Sequence, residues 1–560
     1  MSSHEDFLAA VLEHPDDDAP RLIYADWLEE HGESERAEFI RLQVDAARLP
    51  EGDPRACDLD SKAEGILAEF ETAWLGEWSQ RLVRWTFRRG FLDEITILPE
   101  VFLRGGEELF RAWPVRRFRF VDRDADEASL LEARAITGSP LCGRIRSLDA
   151  PSYVESPWLH FLWIPSHWRG LQELDLREGG GNFLSRLPQF AALFSAPHLK
   201  GLQSLSLRCE HNWGPPVEPA FIEHLAAAPF APHLQSLVLD GLGMTDDALR
   251  RLINDPVFAK LERLRLAEAR RLSPEMVSAV LGTSRLDSLQ DLCIGWECDL
   301  TALAAAPRLR ELKRLDLWLS NNLVYSRNSW SAFAKGLSPG QLTHLGLAYG
   351  ILGQESVEEL LASPGLSELR GLAVWGGQMV GDQILSHLCQ HCSSLTSLDM
   401  TRAGVSAYGV GQLASSPLLS RLAHLRFWFD DIWKPTQYAF LGSSHFSPRL
   451  KSLELCGWNL GDEGCELLAN NRGLCGLTHL NLRSNGVSAA GMKAMLSSPY
   501  LKRLTSLGLG SAPSDALQVL ADSPGLPRLR QVVIDSRAGD QVIAALRKRF
   551  GARLIVDPNI

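Results

Sequence analysis

Two residues separate Cys389 from Cys392, with His387 and His391 close by. That spacing is half of a structural zinc site, because thiolates held this way can share one tetrahedral ion. Such sites need a second pair, and no other Cys-x-x-Cys occurs in the chain. The surrounding letters, LSHLCQHCSSL, read as helix, so small buried cysteines filling helical positions are expected instead. Glycines cluster at 179–181 and again at 508 and 510, but without the lysine or the strand-to-helix setting of a phosphate loop. A His-Glu-x-x-His metalloprotease helix is also missing.

Carboxylates are numerous and scattered. Asp316 and Asp399 share one strand position three repeats apart, which at ~4.8 Å per strand is about 14 Å. Paired acid–base carboxylates work within ~10 Å, so solvated surface charge is the expected state of both. No residue is therefore expected to be catalytic, to bind a cofactor or to ligate a metal. Aromatic residues are a different matter. The chain has 16 tryptophans, and several fall where a strand would present them on its outer face. Trp318, Trp375 and Trp428 occupy one such position, and Trp296, Tyr349 and Phe429 follow one residue later in their own segments. Asp316, Asp399 and Arg426 lie two residues ahead of it, and His344, His424 and His479 line the row beyond. Bare tryptophan beside charged groups is the composition of a protein-binding hot spot. These nine aromatic, acidic and basic residues are the candidate partner-binding set, with Trp318, Trp375 and Trp428 expected to be exposed in one stripe. The competing reading is packing under rim loops, and Trp458, one slot further along, is expected in the core.

What must position them is a repeat. Leu-x-x-Leu-x-Leu begins at Leu171, Leu202, Leu234, Leu261, Leu289, Leu312, Leu342, Leu369, Leu395, Leu422, Leu450, Leu477, Leu504 and Leu529. Degenerate copies start at Leu92, Val115 and Ile145, giving about 17 units with a mean period of about 27 residues. In each, alternating leucines predict a short strand. The following stretch predicts a helix, with Ser488 as cap and Met492, Met495 and Leu496 as its apolar stripe in one unit. Ser273 is placed as another cap. Ser-Pro pairs at Ser363, Ser416 and Ser498 stop the helices. One strand and one helix cannot bury their apolar faces alone, so repeats must stack.

On these residues the chain resembles leucine-rich-repeat proteins of the ribonuclease-inhibitor-like subtype. The resemblance implies an α/β solenoid, a curved horseshoe with a parallel inner sheet and outer helices, over residues 91–560. It also implies Asn or Cys three residues beyond the last strand leucine, bonding neighbouring backbones. Asn485 fits that slot, whereas Gly179, Ala269, Gly377 and Ala403 depart from it. Ran GTPase-activating proteins share this subtype, which makes a regulatory activator the alternative reading. It would need a positioned arginine, for which Arg177 and Arg208 are candidates, and an acidic tail that VDPNI does not supply.

Residues 1–48 do not follow the repeat and read as three short amphipathic helices. Their string, from Phe7-Leu8 through His14-Pro15-Asp16-Asp17 and Tyr24-Ala25-Asp26-Trp27-Leu28 to Arg36-Ala37-Glu38-Phe39-Ile40, resembles the bacterial repeat-companion domain. That module accompanies such repeats and brings no activity. In residues 49–90, Ile66, Leu67, Phe70, Trp74 and Leu75 predict a connecting helix that caps the stack. Net charge is -12 and pI about 5.7, against the clustered basic charge that nucleic acid requires. Neither a signal peptide nor a membrane span is evident. Ten irregularly spaced cysteines suggest a reduced, cytoplasmic protein, and a monomer is expected. Together these features predict a non-enzymatic scaffold that binds a protein partner.

Overall fold

The computed structural model describes residues 3–49, 54–121, 127–152, 167–178, 187–209, 216–267, 272–295, 299–319, 326–348, 354–376, 380–428 and 436–557. The chain separates into two compact units, residues 1–215 with 220–237 and residues 216–219 with 238–560.

The first unit opens with the three expected helices, α1 (His4–Glu13), α2 (Asp18–Glu30) and α3 (Ser34–Arg48). Ser3 and Asp6 cap α1 reciprocally, and the Asp17 carboxylate accepts from Ala19 N at 2.9 Å to start α2. The connecting helix α4 (Pro54–Leu75) and a short α5 (Trp78–Arg81) follow. β1 (Arg84–Arg88) and β2 (Phe91–Ile97) then pair antiparallel about Arg89 and Gly90, whose φ angles are 50° and 82°. Two successive positive φ angles make the tight turn that suits a twisted hairpin. β1 lies in what the sequence predicted as a helical connector. Its alternation is short, and Arg-Gly is a weak turn signal. β3 (Arg117–Phe120), β4 (Ser147–Ser152), β5 (Glu173–Glu178) and β6 (Ser204–Cys209) add to β2 in sequence order, all parallel.

The helical head sits on this hairpin. Gln43 donates to Phe87 O at 3.3 Å and accepts from Gly90 N at 2.8 Å. A Cβ on Gly90 would overlap Ile40, so only glycine lets α3 approach. Arg36 is 7% exposed, and its guanidinium lies 4.3 Å from the Trp74 ring and 5.5 Å from that of Phe91. Phe39, Phe87 and Trp113 complete the cage, and burial pulls the Arg36 pKa down to about 10.

β7 (Ser236–Asp240) carries the chain into the second unit. There β8 (Arg263–Leu266), β9 (Asp291–Gly295), β10 (Arg314–Trp318), β11 (His344–Ala348), β12 (Gly371–Trp375), β13 (Ser397–Thr401), β14 (His424–Trp428), β15 (Ser452–Cys456), β16 (His479–Asn481), β17 (Ser506–Gly510) and β18 (Gln531–Asp535) form a parallel ladder, in register but for a shift between Gly508 and Gly510 where β17 meets β18. Each repeat expected from the leucine spacing has its strand, from β2 to β18. β19 (Leu554–Asp557), parallel to β18, was not expected, since its segment lacks the Leu-x-x-Leu-x-Leu spacing.

Helices alternate with these strands. Ser488 caps Ala489–Leu496 by accepting from Ala490 N at 3.1 Å, and Met492, Met495 and Leu496 are buried. Ser273 precedes Pro274–Gly282, but its hydroxyl makes no cap bond. Its backbone N–H donates to Asp246 instead, at 2.8 Å.

That bond belongs to a wider device. Asp462 accepts from Ser488 Oγ, Ser488 N and Gly491 N, and Asp382 accepts from the equivalent Ser406 and Gly409. Thus an aspartate in one helix's first turn satisfies the orphan N–H groups of the next helix. Asn485, 1% exposed, behaves as its slot implies. It donates to Leu455 O and accepts from Trp458 N at 2.9 Å and Leu460 N at 3.3 Å. Of the four departures from that pattern, Ala403 is buried, and Gly179, Ala269 and Gly377 lie outside the described residues. The Ser-Pro serines also do more than end helices. Ser363, Ser416 and Ser498 are buried and donate to Ala334 O, Cys389 O and Ala469 O one repeat back. Among the described residues no helix is long and apolar enough to cross a membrane.

Candidate partner-binding face

In several strands of the second unit alternate residues are buried, whereas β9 and β11 are buried on both faces beyond their first residue. Leu315 and Leu317 of β10 are fully buried, while Arg314, Asp316 and Trp318 are partly exposed on the other face. The same alternation in β12, β13 and β14 places Trp375, Asp399, Arg426 and Trp428 on that face. Six of the nine candidates are thereby located. Trp296, Tyr349 and Phe429 lie outside the described residues.

The tryptophans are not bare. Trp318 and Trp375 flank Ala348 in register, two strands apart. Instead of the roughly 10 Å expected from strand spacing, their rings lean together to 6.4 Å at a tilt of 34°. They cover Ala348, which has no exposure, and Gly346 leaves room for the Trp375 ring edge. Each is half-buried because small residues occupy β11 between them. Trp458 is fully buried, as expected.

Asp316 and Asp399 are not solvated surface charges either. The Asp316 side chain is 22% exposed and accepts from Arg265 Nη1 at 3.1 Å. Arg265 reaches it from β8 across the short Cys293 of β9. Burial lifts the Asp316 carboxyl above the ordinary carboxylate range, with Arg265 opposing. Asp399 accepts from the Trp375 indole at 2.9 Å and from the Thr401 hydroxyl at 2.6 Å. Arg426 then pairs with Asp399 at 3.5 Å and with Glu454 at 3.3 Å, and Asn481 donates to Glu454 at 3.2 Å. The result is a polar chain across β12 to β16, with every acidic member engaged. Sequence reading listed its residues one strand at a time and missed the chain, because each link joins different repeats.

Beyond it, Gly508 and Gly510 leave a shallow hollow of about 200 Å³ bordered by Glu454, His479, Asn481 and Arg483. Glu454, His479, Asn481 and Arg483 together offer both donors and acceptors to an entering group.

Several motifs resolve as scaffold. Cys389 and Cys392 are half-buried instead of fully buried, at the end of helix Gly381–His391. Burial raises both thiols, which makes them poor nucleophiles. No group of three His, Cys, Asp or Glu side chains among the described residues is arranged to hold a metal ion. Residues 336–340 read Gly-Leu-Ser-Pro-Gly, a nucleophile-elbow spacing that motif reading passed over. Ser338 follows helix Arg327–Gly336 and precedes β11, the reverse of the strand–turn–helix order that exposes such a serine. In the first unit, Arg177 pairs with Asp149 at 3.2 Å and Asp175 at 3.3 Å, and Arg208 binds Ser206 at 2.9 Å. Both guanidiniums are braced on their own strand and on the strand before it.

A family profile described as a leucine-rich repeat matches residues 475–496, which span β16 and helix Ala489–Leu496. That segment is one leucine-rich repeat, and the strand-and-helix units before and after it carry the same Leu-x-x-Leu-x-Leu spacing. Sequence search finds no curated protein that matches it. Among solved structures it is similar to one titled "Crystal structure of Rad7 and Elc1 complex in yeast". Identity is 16%, the match covers 63% of this chain and 82% of that one, and the TM-score is 0.37.

Proposed function

We propose that this leucine-rich-repeat protein is a non-enzymatic interaction scaffold whose strand face, in residues 238–560, grips a protein partner. The observation that carries the reading is the Trp318–Trp375 pair, with Trp428 beyond it, set on a strand face whose acids are already engaged. Aromatic rings held half-buried keep their orientation before binding and expose apolar area for a partner to cover, the physical profile of a hot spot. On this reading residues 91–560 are the repeat scaffold, residues 1–48 its helical companion head and residues 49–90 the connector. The proposed setting is the bacterial cytoplasm, and the proposed state is a monomer.

Photo-cross-linking from defined positions tests this. A benzoyl-phenylalanine at His424, on the strand face, should trap a protein partner in the native host. The same group at Tyr408, 65% exposed on helix Ala407–Ala414, should not. Cross-linking from Tyr408 alone would move the partner surface to the helices.

A further inference from the structure

Ile23 of α2 is 54% exposed, one of five large apolar side chains that the described residues leave in solvent. Trp27 follows it by four residues and Glu30 by seven, so all three share one face of the helix. The Trp27 ring is half-buried on that face. It stacks on His31 at 4.0 Å between centroids and packs against His4 at 5.5 Å, Phe7 at 5.8 Å and Tyr24 at 6.2 Å. Ile23 and Trp27 thus form an apolar strip whose larger ring is fixed before anything binds.

The strip ends in carboxylates. Glu30, Glu33 and Glu35 are exposed around the turn from α2 to α3. Gly32 makes that turn at a φ of 86°, and a Cβ built on it would meet nothing within 4 Å, so the corner is open. Residues 4–48 hold thirteen acidic residues, four arginines and no lysine, which is most of the chain's net charge of -12. Those arginines are placed elsewhere. Arg21 and Arg36 are buried, at 5% and 7% exposure. Arg41 pairs with Asp26 at 2.7 Å and Glu29 at 2.6 Å, and Arg48 with Asp18 at 3.1 Å. Crowded like charge repels itself and draws a partner of opposite sign.

We propose that this face of the head docks a lysine- or arginine-rich protein segment with apolar side chains between its cations. The apolar groups pack on Ile23 and Trp27, and the cations pair with Glu30, Glu33 and Glu35. This surface is independent of the strand face in residues 238–560, and either can stand without the other.

The test is calorimetric titration of the full chain with four-repeat peptides of Lys-Leu-Lys, Lys-Ser-Lys and Glu-Leu-Glu. The Lys-Leu-Lys peptide should bind and weaken as salt is raised. Lys-Ser-Lys should bind about tenfold more weakly for want of apolar contact, and Glu-Leu-Glu should not bind. Ile23→Ser should weaken Lys-Leu-Lys about tenfold, and so should Glu30→Gln, Glu33→Gln with Glu35→Gln. A control variant, Glu275→Gln, Glu463→Gln with Glu466→Gln, removes the same charge from exposed positions of the second unit and should bind as wild type does. Trp318→Ala with Trp375→Ala should also leave the affinity unchanged. No binding of Lys-Leu-Lys, equal binding of Lys-Ser-Lys, or any binding of Glu-Leu-Glu overturns the proposal. So does wild-type affinity in the head variants, or an equal loss in the control or tryptophan variant. Melting curves check folding, and if one head variant is unfolded the other decides.

Discussion

The indole nitrogen of Trp375 donates to the Asp399 carboxylate at 2.9 Å, joining an aromatic pair on β10 and β12 to an ionic chain on β13 to β15. Asp399→Ala would strand both the indole and one side of Arg426. A loss of about 1–3 kcal/mol in denaturant unfolding is expected. A double-mutant cycle with Trp375→Phe should return a coupling of about 1 kcal/mol, and additive losses would mean the bond contributes nothing.

Asn485 accepts two backbone N–H groups and donates to two carbonyls, with 1% of its surface exposed. Asn485→Ala leaves several of these without partners, so a cost above about 2 kcal/mol is expected. Hydrogen exchange should then accelerate first at Trp458 and Leu460, because their N–H groups lose their acceptor.

Leu480 is 2% exposed and Leu482 fully buried. Leu480→Ala should cost about 2–5 kcal/mol through the cavity it leaves. A repeat stack couples mainly to its neighbours, so the repeats around β16 should open before the rest of their unit. A melt identical to wild type would remove Leu480 from the core.

Asp462 gives a pH dependence of definite sign. The Ser488 hydroxyl holds its carboxyl below the usual carboxylate range, against burial and with help from the Ser488 and Gly491 N–H groups. Its folded pKa being lowered, its stabilisation is present above the unfolded pKa and is lost as pH falls through the folded one. Asp462→Asn should therefore be less stable than wild type at neutral pH, with the gap closing under acid. A gap that widens toward acid would reverse the sign.

Much of the fold was legible because a leucine-rich repeat is close to one-dimensional. The period placed β2 to β18, amphipathic patterning placed the head helices, and the family resemblance implied the Asn485 bond, all without three-dimensional information. What escaped depends on rows that run across strands. Arg265 meets Asp316, and Arg483 meets Trp428, because a cysteine on the intervening strand is short, and nothing in one repeat announces that. The tryptophans were expected bare for the same reason: Ala348 and Gly346, which let Trp318 and Trp375 converge, belong to the repeat between them. β1 and β19 fell outside the leucine pattern altogether.

The central claim is that the aromatic strand face binds a protein, and quantitative partner capture by a Trp318→Ala, Trp375→Ala, Trp428→Ala variant tests it most directly. Wild type, this variant and Tyr408→Ala would be compared by isotope-labelled pull-down from the native host, with circular dichroism checking that each is folded. Central hot-spot aromatics each contribute about 2 kcal/mol or more. The account predicts that the triple variant stays folded and loses its partner by at least about 30-fold, while Tyr408→Ala captures it as wild type does. A folded triple variant that retains the same partner at wild-type yield would contradict it.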